Sequence, residues 1–142
     1  MKIAIAADHA GVEFKKAIVD MLISHGHEVK DFGTDSEASV DYADFAHPLA
    51  LAVENATFDF GILLCGTSNG MLMTANKHQG IRAGLAWTEE VAGIVRQHNN
   101  ANILGIPSRF VSKEVALAMV NTFLSTKFEG GRHQNRINKI PC

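Results

Sequence analysis

Ile62-Leu63-Leu64-Cys65-Gly66-Thr67-Ser68-Asn69-Gly70-Met71 is an apolar run that stops abruptly at a small, polar, glycine-flanked loop. A helical pattern resumes at once through Met73, Ala75 and Lys77. The change of period reads as a buried strand delivering a thiol and a hydroxyl to the start of a helix. Such a turn presents backbone N–H groups and a partial positive charge to whatever binds there, which suits a substrate oxyanion. The same field predicts a Cys65 thiol of depressed pKa, a usable base or nucleophile near neutrality.

Outward from this stretch the pattern repeats. Lys2–Ala7 reads as a first strand, followed by Asp8-His9-Ala10-Gly11 and a helix with Phe14, Ile18, Met21 and Leu22 on one face. Gly26 suits that helix's C-terminus, and His27–Phe32 reads as a second strand. Asp41–Asn55 is helical in pattern, with Pro48 either kinking it or opening a separate helix. Asp59–Leu64 is the third strand, Ile81–Ala86 the fourth and Asn102–Ile106 the fifth. Between and after them lie helices at Thr88–Gln97 and Ser112–Leu124, each opened by a capping hydroxyl. Five strand–helix alternations predict an α/β fold: a parallel sheet with helices on both faces, right-handed crossovers and a ligand at the carboxyl ends of the strands.

The chain has 142 residues, enough for one domain, and its 46% hydrophobic content is that of an ordinary globular protein. A formal charge of −2 excludes a basic field for nucleic acid or anionic membrane. The two cysteines, Cys65 and Cys142, make no disulfide framework. Nothing resembles a leader or a membrane span, so a cytoplasmic, reduced setting is expected.

The chemistry-bearing residues collect after strand ends. Asp8 and His9 follow strand 1, Cys65 and Gly66–Gly70 follow strand 3, and Pro107-Ser108-Arg109 follow strand 5. These leave the sheet at one edge by topology, whereas His98-Asn99-Asn100 follow the fourth helix. Each residue also has a plainer reading. Cys65 alone reads as a core thiol, Asp8, Thr67 and Ser68 as helix caps, and His98 as a cation at a helix C-terminus. Gly66-Thr67-Ser68-Asn69-Gly70 also matches G-x-S-x-G, which makes Ser68 a candidate hydrolase nucleophile. Against that, only two strands follow and no acid is placed to orient His98. The tail, residues 126–142, carries Gly130-Gly131-Arg132-His133-Gln134-Asn135-Arg136. If helical, it sets Arg132 and Arg136 one turn apart, a spacing that suits a phosphate. Such a tail can reach a neighbouring subunit. His25 and His27 make a poor metal pair and read as surface.

These blocks, together with Ala75-Asn76-Lys77, Gly80-Ile81-Arg82-Ala83 and Arg96-Gln97-His98-Asn99, resemble the ribose-5-phosphate isomerase B family almost end to end. That family includes subunits of galactose-6-phosphate isomerase. The resemblance implies a Rossmann-like three-layer α/β/α sandwich with a five-stranded parallel sheet and a C-terminal helical tail. It implies a homodimer or dimer of dimers with shared sites. It further implies aldose–ketose isomerisation of a sugar phosphate without metal or cofactor, on ribose 5-phosphate or on allose or galactose 6-phosphate. Carried over by position, Cys65 is the base and Thr67 its helper, and His98 opens the sugar ring. The backbone of Gly66, Thr67, Ser68, Asn69 and Gly70, with Asn99, holds the enediolate. Asp8 and His9 contact sugar hydroxyls or phosphate, and Arg109, Arg132 and Arg136 bind the phosphate. Some family members lack the cysteine and use a glutamate later in the loop, where this chain has Leu72 and Met73. The cysteine form is the one it resembles.

Overall fold

In a computed structural model covering residues 1–142, five parallel strands form one sheet in the order β2-β1-β3-β5-β4. The strands are β1 (Lys2–Ala7), β2 (Glu28–Asp31), β3 (Phe60–Cys65), β4 (Ala83–Leu85) and β5 (Ile103–Pro107). The helices are α1 (Val12–Ser24), α2 (Ala43–Glu54), α3 (Asn69–Ala75), α4 (Glu89–Asn99), α5 (Lys113–Ser125) and α6 (Arg132–Ile137), with a 3₁₀ turn at His9–Gly11. The three-layer α/β/α architecture is the expected one.

The central strands are apolar on both faces because both are covered. Side chains alternate across the sheet, so Ile3, Ile5, Ile62 and Leu64 join Ile18, Leu22 and Phe123 in one core under α1, α4 and α5. Ala4, Ala6 and Leu63 face the other way and meet Leu49, Val53 and Met71 under α2 and α3. Small residues on β1 let α2 approach closely, while the larger ones face the α1–α5 layer.

Three expectations are adjusted. Pro48 lies inside one helix, α2, rather than opening a second one; the N–H it lacks costs the Asp44 carbonyl its intrahelical partner. Strand β4 is half its expected length. The Arg82 N–H bonds the Asn102 side chain at 2.8 Å, and Asn102 Nδ2 donates to the Gly80 carbonyl at 2.9 Å, so a side chain stands in for the ladder up to Arg82, whose carbonyl accepts the Asn102 N–H at 3.0 Å. Helix α4 runs through His98 and Asn99, and Asn100 terminates it in the left-handed region at φ 47°.

The chain reverses its direction of winding between β1 and β3, which are neighbours. In open parallel sheets ligands bind at the carboxyl ends of the strands flanking such a switch point. Asp8 follows β1 there and Cys65 ends β3. Gly11 makes the close approach possible. A Cβ at Gly11 would lie 2.7 Å from Leu64 Cβ and 3.0 Å from the Leu64 carbonyl oxygen, both fixed in the sheet. Gly11→Ala is therefore expected to cost about 1–3 kcal/mol, read as a melting temperature lowered by several degrees.

Candidate active site

The carboxyl edge of β1, β3 and β5 is stitched into one surface. The Asp8 N–H donates to the Leu64 carbonyl at 3.0 Å, and the Ser108 and Arg109 N–H groups donate to the Cys65 and Gly66 carbonyls at 2.9 and 3.1 Å. Ser108 Oγ lies within hydrogen-bond reach of both the Ala10 and Cys65 carbonyls, at 3.0 and 3.1 Å. Arg109 lies over Gly66, where a Cβ would come 3.1 Å from Arg109 Cδ, so the glycine admits the guanidinium side chain. Asp8 also caps the 3₁₀ turn, accepting from the Ala10 N–H at 2.9 Å.

Cys65 is half-buried and donates its S–H to Asp8 Oδ2 at 2.8 Å. Burial pushes the thiol pKa up, and Asp8 pushes it further by accepting the proton and repelling a thiolate. The N–H groups of Ser68 and Thr67 pull the other way, more weakly. The depressed pKa expected from the loop's position is thus corrected: burial and the Asp8 carboxylate outweigh the two loop N–H groups. In the free chain the thiol is held protonated.

Ser68 is fully buried, sits at φ 63° and donates its hydroxyl to the Leu63 carbonyl at 3.2 Å. That arrangement withholds the oxygen from substrate and removes the hydrolase reading; Ser68 faces the site through its N–H only. Thr67 is exposed, and its Oγ1 accepts from the Asn69 N–H at 3.3 Å. Tyr42 was not singled out as a site residue by its place in an apolar pattern. Its ring covers Gly70, where a Cβ would come 2.5 Å from Cζ. A cleft of 310 Å³ opens beside the loop, bounded by Thr67, Asn69, Trp87 and Phe110, the last two 55% and 72% exposed.

The remaining candidates lie elsewhere. Helix α4 starts at the carboxyl edge of the sheet and runs back to the amino edge, where its last turn carries His98 and Asn99. Helix α5 makes the same return, and the tail then crosses α4, the Glu129 N–H donating to the Gln97 carbonyl at 3.0 Å. Helix α6 packs on α4, so Arg132 and Arg136, both exposed, belong to the amino edge too. A strand of five or six residues spans about 17–20 Å, farther than any side chain reaches. One chain therefore carries two separate sets: Asp8, His9, Cys65, the Gly66–Gly70 loop and Arg109 on one edge, and His98, Asn99, Arg132 and Arg136 on the other.

At the amino edge His98 and His133 are stacked, with centroids 4.3 Å apart and planes 11° apart. Glu129 faces both, at 3.9 Å from His98 Nε2 and 3.8 Å from His133 Nε2. These three donors lie within 4.8 Å of one another. Nearly parallel rings direct their lone pairs along parallel planes, not at one point, so in this arrangement the cluster does not form a metal cage.

A model of the ribose/galactose isomerases matches residues 3–140. The chain belongs to that family. The isomerase is 44% identical over 139 residues to the ribose-5-phosphate isomerase B of Escherichia coli, a match covering 98% of this chain and 93% of the relative. Its fold superimposes on the crystal structure of a Thermotoga maritima ribose 5-phosphate isomerase with a TM-score of 0.96 at 51% identity, covering 99% of this chain and 97% of the other. The Mycoplasma genitalium ribose-5-phosphate isomerase B, solved with bound ribulose-5-phosphate, aligns with a TM-score of 0.94 at 45% identity, covering 98% and 93%. The chain is an aldose–ketose isomerase of this type. None of its helices is long and apolar enough to cross a membrane.

Proposed function

We propose that the chain interconverts D-ribose 5-phosphate and D-ribulose 5-phosphate through an enediolate, in sites assembled from the carboxyl edge of one subunit and the amino edge of another. The likeness to a relative solved with ribulose-5-phosphate supports the substrate. The observation that carries the shared site is the separation of the two residue sets across the sheet. Exposed Trp87 and Phe110 beside the Cys65 loop support a subunit contact at that edge.

In this reading Cys65, once ionised, takes the proton from C2 and returns it to C1, a transfer that needs a single base. Thr67 assists it. The N–H groups of the Gly66–Gly70 loop meet the charge that develops on the enediolate oxygen. The partner's amino edge supplies Asn99 to the enediolate and His98, which delivers a proton to the ring oxygen O4 as the C1–O4 bond breaks and the C1 hydroxyl gives its proton to solvent water. Asp8 and His9 contact the sugar hydroxyls or the phosphate, and Arg109, Arg132 and Arg136 hold the phosphate and fix C2 beside the thiol. A panel of pentose and hexose phosphates, compared by kcat/KM without added metal, tests the assignment. Ribose 5-phosphate is expected to lead; a clear preference for allose or galactose 6-phosphate would replace it.

The Cys65–Asp8 contact carries a pH prediction. If a thiolate is the base, kcat/KM rises with pH, with its limb above the ordinary thiol pKa of about 8.5. Asp8→Asn removes the charge that opposes ionisation, so the limb moves to lower pH. It does not reach the lowered range of activated thiols, because burial, the larger cause, remains. A limb that stays put or moves to higher pH in Asp8→Asn contradicts the role given to this contact.

A further inference from the structure

The amino-edge cluster contains an acid that the proposed mechanism does not use. Glu129 is fixed at its backbone by the hydrogen bond from its N–H to the Gln97 carbonyl at 3.0 Å, immediately before His98. Its two carboxylate oxygens divide between the stacked imidazoles, Oε2 at 3.9 Å from His98 Nε2 and Oε1 at 3.8 Å from His133 Nε2. His133 is 5% exposed, and its Nε2 has no hydrogen-bond partner. Burial pushes its pKa down, so it stands as a neutral wall behind the His98 ring. His98 is thus bounded by a ring on one face and a carboxylate at one nitrogen. Distances slightly beyond hydrogen-bond range are usual before substrate binds and tighten in the complex.

We infer that Glu129 is a positioning residue for ring opening: its carboxylate accepts the His98 Nε2–H and, with His133 stacked behind, fixes the imidazole so that its other nitrogen, Nδ1, faces the sugar ring oxygen. The arrangement is that of an acid orienting a catalytic histidine through the nitrogen that does not touch substrate. The inference rests on the reading of His98 as the ring-opening acid.

Ring opening lies between the furanose and the enediolate. Ribose 5-phosphate must open before C2 is accessible. Ribulose 5-phosphate is acyclic because its 5-hydroxyl carries the phosphate, so it reaches the enediolate directly and can exchange its C1 proton with solvent without any ring step. The fixed equilibrium constant makes kcat/KM fall by one factor in both directions, so isomerisation is set beside exchange. Isomerisation of ribose 5-phosphate and deuterium incorporation at C1 of ribulose 5-phosphate in heavy water are measured for Glu129→Gln, Glu129→Asp and His98→Asn. Glu129→Gln is expected to lose about tenfold or more in isomerisation kcat/KM and less than about threefold in exchange, with Glu129→Asp recovering part of the isomerisation rate. Equal losses in the two assays, or none, overturn the inference, since a merely structural role would not distinguish them. His98→Asn separates the two levels. If it shows the selective loss and Glu129→Gln does not, the positioning role alone fails. If His98→Asn shows no selective loss, the ring-opening reading fails and the inference with it.

Discussion

Cys65→Ala is expected to leave a folded protein whose kcat is lower by about 10³-fold or more, at the upper end of what removing one positioned base costs. No other group at the carboxyl edge substitutes for it. Asp8 keeps one oxygen on the Ala10 N–H, and in the proposed site its side chain contacts sugar hydroxyls or phosphate, not C2. Ser68 is sealed under the loop. The structural cost is small, because only a half-buried thiol is removed, leaving Cβ as a methyl group, at a position whose backbone is held by Ser108. A melting temperature close to wild type beside a collapsed kcat separates the chemical role from a folding role. Substantial activity in Cys65→Ala would remove the thiol from the mechanism.

The second large effect lies at the other edge of the sheet. The double substitution Arg132→Ala, Arg136→Ala is expected to lower kcat/KM by about 10²–10⁴-fold, from two charge-assisted phosphate contacts at about 1.5–3 kcal/mol each. Both side chains are exposed in the single chain, so stability should change by no more than about 0.5 kcal/mol. The loss should appear in kcat as well as KM, because phosphate binding energy is what fixes C2 beside the base. A wild-type kcat/KM in the double variant would move the phosphate elsewhere.

The parallel sheet was legible because β1, β3 and β5 are nearly unbroken apolar runs, the mark of strands covered on both faces. Edge strand β4 was overextended because the Asn102 side chain imitates a ladder partner for Arg82, a contact twenty positions apart that no local pattern carries. The same limit explains the thiol. The loop and helix start are adjacent in sequence and suggest a lowered pKa; Asp8, 57 positions away, reverses it. Tyr42 over Gly70 and Glu129 between two histidines are likewise long-range pairings or turns of a tail, visible only once folded. Strand ends alone placed Asp8, Cys65 and Arg109 together. The same topology, followed through α4 and α5, sends His98 and the arginines Arg132 and Arg136 to the far edge, which makes the separation of the two residue sets a property of the fold.

Subunit complementation tests that division most directly. Cys65→Ala and the Arg132→Ala, Arg136→Ala variant, each inactive alone, are unfolded together at equal concentration, refolded and assayed well below KM. With sites shared between subunits, about half of randomly paired dimers are mixed and each mixed dimer has one fully intact site, so about a quarter of wild-type activity should return. If each site is built from a single chain, every site in the mixture carries a lesion, and no activity will return.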